Sequence, residues 1–192
     1  MNVTSLFLSA SSRRLRALVA ALIFAPLCHA QDTGSILPDG TFEKVNSSGE
    51  WPVGWGRAKN VTWESEPGNY FLRLTSPAPG THVSLYHKVE LPPDVTVLEL
   101  SFRARVSDLQ VGEKNWYDAR IILNFTDASG KVTNGAGFPY FSRDTNGWQV
   151  IVRQIKVPPG SVTLEFMPSI FRATSGVFDI DDIVLKPAAS VR

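Results

Sequence analysis

Between Leu98 and Val106 the chain alternates strictly. Leu98, Leu100, Phe102, Ala104 and Val106 are apolar, and Glu99, Ser101, Arg103 and Arg105 fill the gaps. The same period recurs where Ala119, Ile121, Leu123 and Phe125 alternate with Asp118, Arg120, Ile122 and Asn124. It recurs again where Val162, Leu164 and Phe166 alternate with Thr163, Glu165 and Met167. A period of two predicts strands with one face turned inward and one face wet. Tyr70 to Leu74, Val83 to Leu91, Trp148 to Val157 and Val177 to Leu185 are rich in β-branched and aromatic residues and predict further strands. Turn-forming clusters punctuate them, among them Pro67-Gly68-Asn69, Pro92-Pro93-Asp94, Asp127-Ala128-Ser129-Gly130 and Pro158-Pro159-Gly160. No segment has the length and period of a helix. About eight such strands predict an all-β jelly-roll sandwich of two antiparallel sheets.

The first thirty positions break this pattern. Arg13, Arg14 and Arg16 are followed by the uncharged apolar run Ala17 to Leu27, and then by Cys28-His29-Ala30. That order reads as an export signal cleaved near Ala30, with residues 31–192 forming one sandwich domain whose core runs over about 35–187. The apolar run is too short to span a bilayer, which takes about 20 residues. The expected location is periplasmic or secreted. Cys28 is the single cysteine, so no disulfide, cysteine nucleophile or zinc-thiolate site is available to the mature chain. Its stability must come from the core and from a bound metal, if one is held. Without the signal's three arginines, 19 basic and 18 acidic residues become 16 and 18, a balance that argues against nucleic acid as a partner.

Catalytic signatures are missing. His82 and His87 lie five positions apart and face opposite sides of a strand, and no Gly-x-Ser-x-Gly or phosphate-cradling glycine loop occurs. The carboxylates on wet strand faces, Glu99, Asp118 and Glu165, are each alone in their run. A hydrolase would need two of them within about 5–10 Å of each other. Tyr86-His87-Lys88 offers parts of a lyase site without the usual Gln-x-His strand. The expectation is a protein that binds and does not catalyse.

Aromatic residues are abundant, and rings stack on the apolar faces of sugars while polar neighbours bond the hydroxyls. The same rings suit core packing, and the two uses compete at every position. Trp55 and Trp148, at strand starts, suit the core. Trp116 and Tyr117 follow the polar run Glu113-Lys114-Asn115, and Tyr140 lies beside Pro139; these suit a ligand. Arg105, Arg120 and Asn124 on wet faces supply hydroxyl partners, or else a salt-bridged surface. The candidate carbohydrate-binding set is therefore Trp116, Tyr117, Arg105, Arg120, Asn124 and Tyr140.

Four segments, taken in order, resemble the galactose-binding-like jelly rolls among carbohydrate-binding modules, particularly families four, nine and twenty-two. They are Leu37-Pro38-Asp39-Gly40-Thr41-Phe42-Glu43, Pro52-Val53-Gly54-Trp55, Gly147-Trp148 with Val157-Pro158-Pro159-Gly160-Ser161 behind it, and Phe178-Asp179-Ile180-Asp181-Asp182-Ile183-Val184-Leu185. The resemblance spans Leu37 to Leu185. It implies a structural Ca²⁺ joining the first and last strands. Glu43 and Glu66 would give side-chain oxygens, Thr41 and Asn69 backbone carbonyls, and Asp181 would complete the set, with Asp182 as the second choice. Thr41 stands where the family has glycine before Phe, which a carbonyl ligand tolerates. The resemblance also implies a polysaccharide or oligosaccharide ligand and a separate glycan-degrading enzyme as partner. The competing expectation is an envelope or adhesion sandwich that holds a protein.

Overall fold

Residues 34–133 and 139–188 are described by a computed structural model. The export segment lies outside them. Every regular element among the described residues is a strand. In chain order they are β1 (Val61–Glu66), β2 (Asn69–Thr75), β3 (His82–Ser84), β4 (His87–Glu90), β5 (Val97–Gln110), β6 (Ala119–Asp127), β7 (Val132–Thr133), β8 (Tyr140–Phe141), β9 (Gln149–Lys156), β10 (Ser161–Phe171) and β11 (Ser175–Pro187).

All pairings are antiparallel and fall into two sheets. One runs β1-β2-β11-β5-β9. The other runs β3-β10-β6-β7, with β4 beside β3 on β10 and β8 beside β7 on β6. Alternation decides which side of each strand is buried. Leu98, Leu100, Phe102, Ala104 and Val106 of β5 face Ala119, Ile121, Leu123 and Phe125 of β6 across a core completed by Phe42, Phe166, Phe178 and Trp55. Each large apolar side chain buried there is worth roughly 1.5–3 kcal/mol relative to exposure.

Three departures from the sequence pattern have physical causes. The expected strand Val83 to Leu91 is broken at Leu85-Tyr86, where β10 hands its pairing from β3 to β4. β1 was not foreseen, because Val61 to Glu66 mixes Trp63 with four polar side chains. Val162, expected inward, is exposed, and Thr163 is buried. A register shift between Ser161 and Thr163 opposite β6 leaves Val162 as the extra residue of a bulge, outside the inward row, while Thr163 is covered by its partner Thr126.

The N-terminal segment packs along the last strand. Ile36 N–H donates to Leu185 O at 2.7 Å and Ile183 N–H to Gly40 O at 3.0 Å. A Cβ on Gly40 would meet the Ile183 carbonyl oxygen at 2.0 Å, so only glycine permits this approach.

Candidate functional site

The two outer faces are chemically different. On the five-stranded sheet, arginines and carboxylates cancel one another. Arg73 clamps Asp179 through Nε and Nη2 at 2.7 and 2.9 Å. Arg105 reaches the same carboxylate at 2.8 Å and Glu66 at 3.0 Å. Trp148 lies over this network, with Arg103 and Arg105 4.7 and 4.5 Å from its ring and its indole N–H donating to Glu66. Burial works to raise the Glu66 carboxyl, but the Trp148 and Arg105 hydrogen bonds outweigh it and hold it below the usual range.

Two expectations change here. Arg105 is on the opposite face from Arg120 and is consumed by Asp179 and Glu66, so it does not join the other candidate sugar contacts. Trp148, expected in the core, is half-buried on this outer face instead.

The outer face of the six-stranded sheet carries the remaining candidates. Cross-strand register sets Asn124 opposite Glu165 and Arg120 opposite both Ser169 and Tyr140. Asn124 Nδ2 donates to Glu165 Oε2 at 3.2 Å, and the Tyr86 hydroxyl donates to Glu165 Oε1 at 3.0 Å. At the far end of the face the loop before β6 is closed by Gly112 N–H to Tyr117 O and Tyr117 N–H to Lys114 O, both 2.8 Å. A Cβ on Gly112 would meet the Arg172 carbonyl oxygen at 2.3 Å and Tyr117 Cβ at 2.7 Å. The turn sends Tyr117 inward and Trp116 outward. Tyr117 is 9% exposed, packs edge-on against Phe171 and accepts from Arg172 at 3.1 Å. It supports the loop and does not present a ring to solvent, contrary to expectation.

Trp116 and Tyr140 are 49% and 65% exposed. With Asn115, Asp118 and Arg120 they line a pocket of about 290 Å³. Asp118 and Arg120 were expected on a wet face; both are buried. Arg120 Nε donates to Asp118 Oδ1, and Arg120 Nη2 donates to the Trp116 carbonyl. Burial pushes the Asp118 carboxyl up, against the opposing pull of Arg120. Tyr140 also borders a second cavity of about 480 Å³, which holds Arg143, Gln149 and Arg153. Trp116, Arg120, Asn124 and Tyr140 thus share one face. Asp118 and Glu165, expected on wet faces but outside the binding set, join it, and so does Tyr86. The spacing of Asp118 and Arg120, two positions apart on one strand, was a signal for their pairing. The Tyr86–Glu165–Asn124 chain needs the strand register.

The expected calcium residues gather near the β1–β2 turn, where Glu66 pairs with Asn69, but two of the carboxylates already hold protein partners. Glu66 is engaged by Trp148 and Arg105. Glu43 Oε1 accepts the Tyr70 N–H at 2.8 Å. Asp181 is fully buried, its Oδ2 has no hydrogen-bond partner, and neither has Nδ2 of Asn69. Arg103 stands 3.6 Å from that oxygen. Burial first, and the Asp182 charge second, push the Asp181 carboxyl up to about 7. No three acidic or histidine side chains converge on a metal position among the described residues. The unpartnered oxygen is what a hard cation would satisfy, so oxygen donors from Asp181, Asn69 and Glu43 fit Ca²⁺ in kind.

No family model and no curated protein matches the sequence. Solved structures do match the fold. A family 16 carbohydrate-binding module is 18% identical with a TM-score of 0.55, covering 79% of this chain and 99% of that one. A family 4 carbohydrate-binding module is 16% identical with a TM-score of 0.54, at 79% and 99% coverage. The shared fold is the galactose-binding-like jelly roll of carbohydrate-binding modules. The same jelly roll occurs in the enzymatically active domain of tailspike protein 4 from bacteriophage CBA120, at 15% identity and a TM-score of 0.57. There the match covers 81% of this chain but 22% of the tailspike chain. At these identities the likeness concerns the fold alone, and fold does not fix function.

Proposed function

We propose that this protein is a non-catalytic carbohydrate-binding module that holds polysaccharide on the outer face of its six-stranded sheet. The observation that carries the reading is the placement of exposed Trp116 and Tyr140 beside buried Arg120, on the fold that sugar-binding modules use. Rings would stack on sugar faces, and Asn124, Glu165 and Tyr86 would meet hydroxyls further along. Six strand positions separate Glu165 from Phe171, whose N–H bonds the Asp118 carbonyl at 2.8 Å. At about 3.3 Å per position the backbones of Glu165 and Asp118 stand roughly 20 Å apart along the strand, a span that side chains do not close to the 5–10 Å of glycosidase pairs. That spacing favours binding over hydrolysis.

Export with cleavage near Ala30 and a structural Ca²⁺ belong to the same reading. The calcium is supported by the unpartnered Asp181 oxygen, with Glu43, Asn69 and Thr41 as companions. A glycan-degrading enzyme acting on the same polysaccharide is the partner class it implies. Affinity electrophoresis against soluble glucans, xylans, mannans and pectins tests the reading: one class retards the protein. Retardation by none contradicts it. Melting with calcium and with chelator tests the metal, and a melting temperature unmoved by chelator removes it.

A further inference from the structure

Asp118 is a charged group 1% exposed, with one oxygen satisfied and the other not. Its Oδ1 takes the Arg120 Nε, while Oδ2 has no donor. An unmet buried acceptor costs about 1–3 kcal/mol, more when charged, and native structures rarely carry one without a use. Asp118 also lines the pocket that opens between Trp116 and Tyr140. A ligand entering there meets two exposed rings at the rim and, beneath them, Asp118, whose buried Oδ2 lacks a donor.

The pocket's size and charge narrow the ligand. Its volume of about 290 Å³ is at or below the lower bound for drug-sized ligands, roughly 300 Å³, which suits one sugar ring and not a run of them. The donor must be a hydroxyl or a comparable N–H group. A uronate would bring a second carboxylate against Asp118, with the nearest guanidinium already bonded to Asp118 and to the Trp116 carbonyl. A quaternary ammonium suits the rings but would meet Arg120 and the Lys114 ammonium, which stands 5.0 Å from the Trp116 ring.

We infer that Asp118 is a specificity-determining residue: one neutral sugar ring sits between Trp116 and Tyr140 and donates a hydroxyl hydrogen bond to Asp118 Oδ2. This rests on the carbohydrate-binding reading and adds to it a defined subsite, with a required hydroxyl and an excluded charge. The ring at this end of the face is recognised by hydrogen bonding, and the rings beyond it by stacking and by the Tyr86–Glu165–Asn124 chain.

The test measures affinity of the purified protein for neutral glucans, xylans and mannans beside polygalacturonan, in wild type, Asp118→Asn and Trp116→Ala. Competition by the free monosaccharide of the bound polymer and by its monodeoxy derivatives accompanies it. The expected result is binding of a neutral polymer, weakened about 10- to 100-fold by Asp118→Asn in protein whose circular dichroism shows it folded at the assay temperature. One monodeoxy sugar should lose the same factor against wild type and nothing further against Asp118→Asn. If Trp116→Ala abolishes binding while Asp118→Asn stays within twofold, the glycan reading stands and the Asp118 assignment is overturned. Preferential binding of polygalacturonan overturns the neutral-ring assignment alone. Binding of no glycan overturns the underlying reading as well. Should Asp118→Asn fail to fold, the monodeoxy series on wild type decides: equal competition by every derivative overturns the assignment.

Discussion

The indole N–H of Trp148 donates to Glu66 Oε1 at 2.8 Å, tying together residues 82 positions apart. The bond fastens the start of β9 over β1 and β5 and occupies a carboxylate that the sequence resemblance assigns to calcium. Glu66→Ala should therefore lower stability by about 1 kcal/mol, the value of one charge-assisted bond discounted for partial exposure. It should leave the melting-temperature gain from added calcium unchanged. A calcium response lost in Glu66→Ala would return the residue to the metal site.

Asp179 is buried between Arg73 and Arg105, with the closest contacts 2.7 and 2.8 Å. Removing the shared carboxylate leaves two guanidinium groups side by side on one face. Asp179→Ala should cost about 3 kcal/mol in urea unfolding, at the low end for a broken buried pair because both arginines are partly exposed and can rehydrate. Glycan affinity at the opposite face should not change.

Gly112→Ala places a methyl group 2.3 Å from the Arg172 carbonyl oxygen and 2.7 Å from Tyr117 Cβ, and neither is the free end of a flexible side chain. The loop carrying Trp116 must shift. A stability loss of about 1–3 kcal/mol is expected together with weaker glycan binding. A variant with wild-type affinity would show that the loop geometry does not set the site.

Burial pushes the Asp118 carboxyl above the ordinary aspartate value, with Arg120 pulling it back. The native state then keeps this proton to higher pH than the unfolded chain. Asp118 therefore subtracts stability as pH rises from the ordinary aspartate range through its own raised value. Binding runs in the opposite sense, because a sugar hydroxyl donates to the ionised form. The groups around it are Arg120 on its own strand, Lys114 over the Trp116 ring, Arg172 against the Tyr117 ring and Tyr140 across the pocket. Affinity should fall on acidification at a higher pH than an ordinary aspartate would give, and Asp118→Asn should flatten that profile.

The sandwich was legible because period-two alternation in β5, β6 and β10 states which side chains are inside. Leu98 to Val106 reads the same in sequence and in structure. The site was legible only in part. Trp116 and Tyr140 stand out by their polar and loop neighbours, but Arg105 and Arg120 look equivalent along the chain. Sheet membership separates them, since β5 lies in one sheet and β6 in the other. Tyr117 follows Trp116 directly, and its burial depends on a turn that Gly112 permits through contacts with Arg172, 60 positions away. Glu165 gains its partners only when β10 is set in register against β6 and β4. Non-local pairing of that kind leaves no trace in local composition.

The most direct measurement compares two double variants by affinity electrophoresis on the neutral polysaccharide that retards wild type. Trp116→Ala/Tyr140→Ala removes the two exposed rings that border the pocket on the six-stranded sheet. Val150→Ser/Val152→Ser alters β9 on the opposite outer face, where both valines are exposed. All four side chains point to solvent, so both proteins should fold. Loss of retardation in the first and wild-type retardation in the second is the predicted outcome. The reverse pattern would place the glycan on the other sheet and contradict the account.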